Sequence, residues 1–471
     1  MKPSKRQSAG KRPVCRPDPT ASDAPPAPSV PAVASRLLWG VDADAVATLC
    51  SVRIELPSRV FRSSTDRAEP FTGQHAIADA ALVHRLTAVT PDVGLELPAD
   101  RVEDPTALAA HAADAGVRIG SAQPDVSGRI ARPLPLCHPD PDRADQALTA
   151  LRRAAAVAAG LGARRFLLRW RDSAPYPGGA EAARRRARLI EVLALLRRQL
   201  PDEMALVVEY VVADPHPVRR PGPDWLAGHA LAVGAGPGTK VLLDLTSVEP
   251  GLDSETDLSI TTLRSADRLA GLVLGGATRT DQRFALFLAM IDAVEGGLLV
   301  RGRRCPLPFL LELPPDQPPG VEATLRAVGA VQDAAARAML LDRSAWRAAQ
   351  AAGDRAAAND VLLTAYESDA SPLLTAVRAA LGVPADALAT YQQMCRDTHR
   401  VVERQRSVLR AALRRGALAE GAVAAEALAA ADRSADGFGP GPCGGLDTRA
   451  AGRAVTGGRW PLRIGGLRGV G

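Results

Sequence analysis

Eight apolar runs divide the central part of the chain, and most of them end at or next to a polar side chain. They are SVRIEL (51–56), VGLEL (93–97), VRIGSAQ (117–123), RRFLLRW (164–170), MALVVEY (204–210), KVLLDL (240–245), AGLVLGG (270–276) and PFLLEL (308–313). Continuous apolar runs of this length are typical of strands that are buried on both faces of a parallel sheet. Segments with apolar residues at helical spacing lie between them, such as 75–90, 143–160 and 257–269. This alternation predicts a (β/α)8 TIM barrel.

A doubly wound sheet is the alternative arrangement of alternating strands and helices. It would carry a glycine-rich nucleotide-binding turn after its first strand, and the sequence has none there. We therefore expect no nucleotide cofactor. After residue 320 the strand runs stop and a helical pattern continues to about residue 435. The sequence thus predicts a disordered basic Pro/Ala-rich tail (1–35), the barrel (36–320), a C-terminal α-helical extension (321–435) and a disordered Gly-rich tail (436–471).

The charge of the chain is concentrated in its two tails. The formal net charge is +6, whereas residues 1–35 carry six Lys/Arg against two Asp/Glu, and residues 436–471 carry five Arg against two Asp. The central region is therefore close to neutral, which argues against a nucleic-acid-binding body. No run reaches the roughly 18 apolar residues of a membrane span. We expect a cytoplasmic protein that binds neither nucleic acid nor membrane.

Polar side chains at the strand ends are the candidate chemistry of the barrel. In this fold the carboxyl ends of the strands meet at one mouth, where active sites lie. The set is Glu55, Glu96, Gln123, Arg169, Glu209, Asp244 and Glu312. Carboxylates this close together require a cation among them. In one interpretation, Glu209, Asp244 and Glu312 bind a divalent ion, Mn²⁺ or Mg²⁺. In the other, each acid pairs with an arginine or faces solvent. Spacing alone leaves both interpretations open.

Several stretches together resemble the L-rhamnose isomerase family, which are metal-dependent sugar isomerases with a xylose-isomerase-like barrel. They are IELPSRVF (54–61), VHRLTAVTPDVGLELPADRVED (83–104), CHPDP (137–141), DSAPYPGG (172–179), VVEY (207–210), PDW (223–225) and the helical segment 330–374. The resemblance runs from about residue 54 to residue 392. It implies an aldose–ketose isomerase ancestry, a sugar ligand, a divalent metal ion and a homotetramer.

The metal-binding motifs of that family are only partly present. The resemblance places its structural metal ligands at Glu209, Asp244, Val273 and Glu312, so the family's histidine is replaced by valine. A family lysine falls on Val211, and the family's pocket tryptophans fall on Arg59, Ala99 and Arg169. Valine can neither polarise a carbonyl group nor carry a proton.

Three functions follow as alternatives. One is a sugar isomerase that retains at most one weakly held divalent ion, on Glu209, Asp244 and Glu312. Another is a non-catalytic relative, a pseudoenzyme, that binds a sugar or sugar acid through Arg59 and Arg169 or acts as an oligomer-forming scaffold. The third is a barrel enzyme with a different reaction, because one fold can host many chemistries. The sequence identifies no catalytic residue.

Overall fold

Eight parallel strands pair in chain order and close into a barrel, with β1 hydrogen-bonded to β8. This computed structural model describes residues 42–62, 71–125, 140–172, 179–212, 225–246, 256–276, 279–299, 307–314 and 317–400. The strands are β1 (Ile54–Pro57), β2 (Asp92–Leu97), β3 (Arg118–Pro124), β4 (Arg165–Asp172), β5 (Ala205–Val212), β6 (Thr239–Asp244), β7 (Leu269–Gly275) and β8 (Phe309–Glu312). The predicted (β/α)8 barrel is confirmed. Both predicted tails lie outside the described residues, as does the part of the extension after residue 400.

Helices cover the outside of the barrel and continue beyond it. Around the barrel they are α1 (Ala43–Cys50), α2 (Gly73–Thr87), α3 (Pro105–Asp114), α4 (Pro141–Gly160), α5 (Gly179–Arg197), α6 (Trp225–Ala235), α7 (Thr256–Ser265) and α8 (Thr280–Glu295). Two of them begin with proline directly after an aspartate N-cap, Asp104 and Asp140. Each aspartate accepts a hydrogen bond from a backbone N–H of the first turn, and proline there has no N–H that would need a partner.

The predicted C-terminal helices are also present. They are α9 (Val321–Met339), α10 (Arg343–Ala351), α11 (Arg355–Glu367) and α12 (Ser371–Leu381), and residues 387–400 are helical as well. Helix α9 packs against α8 and α2 of the barrel and buries one apolar face, which includes Leu325, Val328 and Val331. The division between barrel and extension at residue 320 stays a prediction. No helix in the described part of the chain combines the length and the apolar character needed to cross a bilayer.

The first strand differs from its prediction and moves Glu55 away from the mouth. The sequence predicts a strand over 51–56, but Ser51 caps helix α1 and β1 begins at Ile54. Glu55 is therefore the second residue of its strand, and its carboxylate meets Arg165, which precedes Arg169 by four residues on β4. The expectation that Glu55 belongs to the strand-end set is wrong for this reason.

Inward-facing side chains fill the barrel with an apolar layer just below the mouth. Successive residues of a strand point to opposite faces, so every second residue faces the interior. The layer is one buried cluster of Leu167, Val207, Leu242, Ala270, Val273 and Leu310. Its residues come from β4 to β8 and are part of the packed interior that is typical of this fold.

Glu55 lies in the N-terminal half of the barrel, where it forms a buried ion pair with Arg165 and accepts a hydrogen bond from Ser121. Its side chain is fully buried. Glycines on the neighbouring strands leave room for the carboxylate. A Cβ atom on Gly94 would lie 2.9 Å from Glu55 Oε1, and one on Gly120 would lie 2.5 Å from Oε2. The backbone of β2 and β3 thus shapes the pocket in which this carboxylate sits.

We predict that Glu55→Gln destabilises the protein by about 3 kcal/mol, because it leaves Arg165 buried without a counter-charge. Urea unfolding measures the change. The matched control is Asp267→Asn, which breaks the Lys240–Asp267 pair at 2.9 Å, where the aspartate is 90% exposed. This exposed pair should contribute less than about 1 kcal/mol. Equal effects of the two substitutions would contradict the prediction.

Candidate ligand site at the barrel mouth

A charged layer lies directly above the apolar layer, at the carboxyl ends of the strands. Arg169, Glu209, Asp244 and Glu312 each follow an apolar-layer residue by two positions on the same strand. Because side chains alternate along a strand, these four face the same interior one step closer to the mouth. The sequence placed all four at strand ends, and the structure brings them to one mouth.

Arg169 lies between two of these carboxylates. It pairs directly with Glu209 in the β4–β5 register, and its Nε donates to Glu209 Oε2 at 2.6 Å. Its Nη2 donates to Glu312 Oε2 at 2.8 Å. One guanidinium group therefore joins the acids of β5 and β8 across the barrel interior.

Arg59 makes the corresponding link on the other side of Glu312. It lies in a single 3₁₀ turn, Ser58–Val60, directly after β1. Its Nε and Nη2 donate to the two oxygens of Glu312 at 3.1 and 2.7 Å, a bidentate pair. Its Nη1 donates to Glu96 Oε1 and Gln123 Oε1, both at 3.3 Å. Glu312 thus accepts hydrogen bonds from both arginines.

Two further residues, which the sequence reasoning missed, support Glu96. Arg62 donates to Glu96 Oε2 at 2.9 Å and to Asp100 Oδ1 at 2.6 Å. Asp100 is fully buried, and its Oδ2 accepts the backbone N–H of Glu96 at 2.6 Å. Burial raises the pKa of Asp100, while Ser58 and Arg62 act in the opposite direction. The signal in the sequence is the spacing of Arg59 and Arg62, which places both in one turn after a strand.

Asp244 lies at the edge of this network. Its Oδ1 accepts from the backbone N–H and the hydroxyl of Thr246 at 2.8 and 2.7 Å. No described residue donates to its Oδ2. Its negative charge adjoins Glu209, since both lie at the ends of neighbouring strands. Among the described residues, Asp244 Oδ2 and Glu209 Oε1 are therefore the two oxygens of Asp244, Glu209 and Glu312 that accept no hydrogen bond.

The two acids that Arg169 joins differ in their protonation equilibria. Burial raises the pKa of Glu209 and outweighs Arg169, which lowers it, while the charges of Asp244 and Glu312 raise it further. Burial would also raise the pKa of Glu312, but Arg59 and Arg169 outweigh it and hold that pKa well below its usual range. Glu312 is therefore the firmly ionised centre of the network.

The divalent ion that the family resemblance implies does not fit these residues as they are arranged. Its carboxylate ligands Glu209 and Glu312 already accept hydrogen bonds from arginine. Val273, at the position of the family's histidine, is fully buried in the apolar layer. Within the described residues no group of three or more His, Cys, Asp or Glu side chains is arranged to hold a metal ion. The arrangement matches the alternative in which the acids pair with arginines.

Comparison with known proteins identifies two relatives that are both named probable sugar isomerases. No protein-family model matches the sequence. A "probable sugar isomerase" of Rhizobium meliloti (strain 1021) is 23% identical over 365 residues, covering 72% of this chain and 83% of that protein. A "probable sugar isomerase" of Mesorhizobium japonicum is 24% identical over 330 residues, covering 67% of this chain and 76% of that protein. The chain is thus similar over most of its length to proteins named as sugar isomerases.

Solved structures of sugar epimerases are similar in shape to part of the chain. A D-psicose 3-epimerase matches with a TM-score of 0.44 and 12% identity, covering 61% of this chain and 99% of that one. An L-ribulose 3-epimerase matches with a TM-score of 0.43 and 15% identity, covering 68% of this chain and 99% of that one. The fold itself is established by the closed barrel described above.

We predict that Glu312→Gln destabilises the protein by about 3 kcal/mol at pH 7, because two partly buried arginines lose their shared counter-charge. A carboxylate with a lowered folded-state pKa stabilises above its unfolded-state pKa and loses this contribution as the pH falls through the folded-state pKa. The difference between wild type and variant should therefore shrink in strong acid. Urea unfolding at pH 7 and pH 3 measures it.

The control for this prediction is Glu295→Gln. Glu295 also binds two arginines, Arg343 at 2.8 Å and Arg347 at 2.7 Å, but on the outer surface of α8. Its loss should cost less than about 1 kcal/mol. An equal loss of unfolding free energy in both variants would contradict the prediction, because the position of Glu312 at the mouth would then make no difference.

Proposed function

We propose that this protein binds a small-molecule sugar or sugar acid at the C-terminal mouth of its barrel, as a relative of the sugar isomerases. The observation that carries the proposal is the charged layer, in which hydrogen-bond donors and acceptors converge above a layer of buried apolar side chains. Small-molecule sites combine an apolar enclosure with a few fixed polar groups. The names of the two relatives support a sugar as the ligand.

The polar groups at the mouth suit a ligand rich in hydroxyl groups. Each terminal nitrogen of Arg169 carries two hydrogens, and the described contacts use only one of them. Asp244 Oδ2 is an acceptor without a described donor. A sugar hydroxyl can accept from the first and donate to the second. We therefore propose Arg59 and Arg169 as ligand-binding residues that donate hydrogen bonds to sugar hydroxyl groups. The carboxylate of a sugar acid would in addition be attracted by their positive charge.

We infer that the chain shares its ancestry with sugar isomerases but lacks residues that metal-dependent isomerisation requires. A metal-dependent aldose–ketose isomerase of the L-rhamnose isomerase type requires a metal ion to polarise the substrate carbonyl. The valine at position 273 and the arginine contacts of Glu209 and Glu312 both argue against such a site. A non-catalytic, sugar-binding role is therefore the first candidate.

The second candidate is a sugar isomerase with one Mn²⁺ or Mg²⁺ ion on Glu209, Asp244 and Glu312. The proximity of the three carboxylates favours it: Asp244 and Glu312 both raise the pKa of Glu209, in addition to burial and against the opposing effect of Arg169. A cation would relieve this repulsion. Conversion of aldose to ketose that requires added Mn²⁺ would establish the second candidate over the first.

We predict that sugars raise the melting temperature of the metal-free protein, measured by thermal unfolding in EDTA. Neutral aldoses and ketoses, including L-rhamnose, are compared with aldonic acids and sugar phosphates, and each mixture is analysed by NMR for isomerised product. A bound ligand at about 100 times its Kd should raise the melting temperature by several degrees. Asp244→Asn should reduce this shift, whereas Asp267→Asn on the opposite face should not. Indifference to every sugar class would contradict the proposal.

We also propose that the protein is a homo-oligomer, with the tetramer as the expected form. Of the residues from Arg343 to Glu367, which form the α10–α11 hairpin, only Ala365 is buried. Trp346, Val361, Leu362 and Tyr366 pack one side of these helices against the core, whereas Leu363 lies on a side that remains exposed. A second copy of the chain would pack against that exposed side.

Light scattering after size-exclusion chromatography should therefore give a multiple of the 49.2 kDa chain mass. Leu363→Glu changes an apolar side chain of α11 that is 44% exposed, and it should shift the protein towards the monomer. Leu226→Glu changes a more exposed leucine on barrel helix α6 and serves as the control. A monomeric wild-type protein would refute the expectation.

A further inference from the structure

We propose that Arg59 and Arg169 replace a divalent metal ion at the barrel mouth, so that the folded protein carries its own cations there. The proposal goes beyond sugar binding, because it concerns the counter-charge of the carboxylates and holds for any ligand. It makes the two arginines structural cations that position Glu96, Glu209 and Glu312.

Geometry supports this assignment first. Arg169 bridges Glu209 and Glu312, and Arg59 bridges Glu312 and Glu96, so two guanidinium groups connect the acids of three strands. The shortest distances, 2.6 to 2.8 Å, are those of charge-assisted hydrogen bonds. A metal ion shared by carboxylates performs the same task of holding like charges together.

Burial makes the replacement effective. The side chains of Arg59 and Arg169 are 13% and 18% exposed, and that of Glu209 is 4% exposed. Charges removed from water must be paired or coordinated. Because an arginine side chain does not lose its proton in proteins, its charge is permanent and needs no ion from solution.

The two guanidinium groups also exclude a divalent ion. An ion bound to Glu209 and Glu312 would lie next to Arg169, and in this buried setting the two positive charges would repel each other strongly. Three of the four carboxylate oxygens of Glu209 and Glu312 already accept arginine N–H groups. Arginine and metal therefore compete for one set of acids.

The test is whether removal of the arginines creates a metal site. The full-length protein is treated with EDTA, and its melting temperature is then measured with and without about 1 mM Mn²⁺. We expect the wild type to change by less than about 1 °C. The double variant Arg59→Gln/Arg169→Gln should melt lower than the wild type in EDTA, and Mn²⁺ should raise its melting temperature by at least about 3 °C.

The matched control is Arg118→Gln at the opposite end of the barrel. Arg118 pairs with Asp92 at 2.8 Å, so its substitution also removes an arginine from a carboxylate, but from only one. The melting temperature of the Arg118→Gln variant should not rise on addition of Mn²⁺. If the double variant does not fold, Arg169→Gln alone replaces it. Arg169→Lys, which keeps the charge, should remain indifferent to Mn²⁺.

Two results would overturn the proposal. One is a wild-type protein that Mn²⁺ stabilises and whose response is abolished by Glu209→Gln. The other is an arginine-free mouth that gains no response to Mn²⁺. Both measurements are made without sugar, whereas sugar binding is measured in EDTA, so failure of this proposal is distinguishable from failure of the proposed function.

Discussion

The carboxylate of Glu312 accepts hydrogen bonds from Arg59 and Arg169, and the order of the whole mouth depends on this shared pairing. Through Arg169 it fixes Glu209, and through Arg59 it fixes Glu96. Buried apolar side chains lie beneath the network, and electrostatic interactions are stronger beside such low-dielectric surroundings. The arrangement of the charged side chains at the mouth is therefore a property of the network rather than of any one residue.

The fold was predictable because it depends on patterns that are local in sequence. Apolar runs of strand length alternate with segments of helical spacing, and together these allow few architectures. The start of β1 was not predictable, because SVR before Ile54 is as compatible with a strand as the residues after it. The backbone N–H of Ser51 bonds to carbonyl groups of α1, so Ser51 ends that helix and does not begin the strand. The apolar pattern did not predict α1.

The sequence predicted which strand residues lie at the mouth, but not which acid pairs with which arginine. Strand periodicity placed Arg169, Glu209, Asp244 and Glu312 at the mouth, since position along a strand fixes both height and face. Which acid meets which arginine depends on long side chains that cross the barrel, and sequence spacing carries no information on this. Arg59, Arg62 and Asp100 are harder still, because they lie in turns, whose course is set by tertiary contacts.

The pocket of Glu55 has a consequence for how this barrel can change over generations. Alanine at Gly94 or Gly120 would place a methyl group against the carboxylate, and an apolar residue at position 55 would leave Arg165 without its partner. The four positions are therefore expected to covary among close relatives of this chain. Where the acid is lost, the arginine should be lost with it, and the two glycines then become free to carry side chains that fill the vacated space.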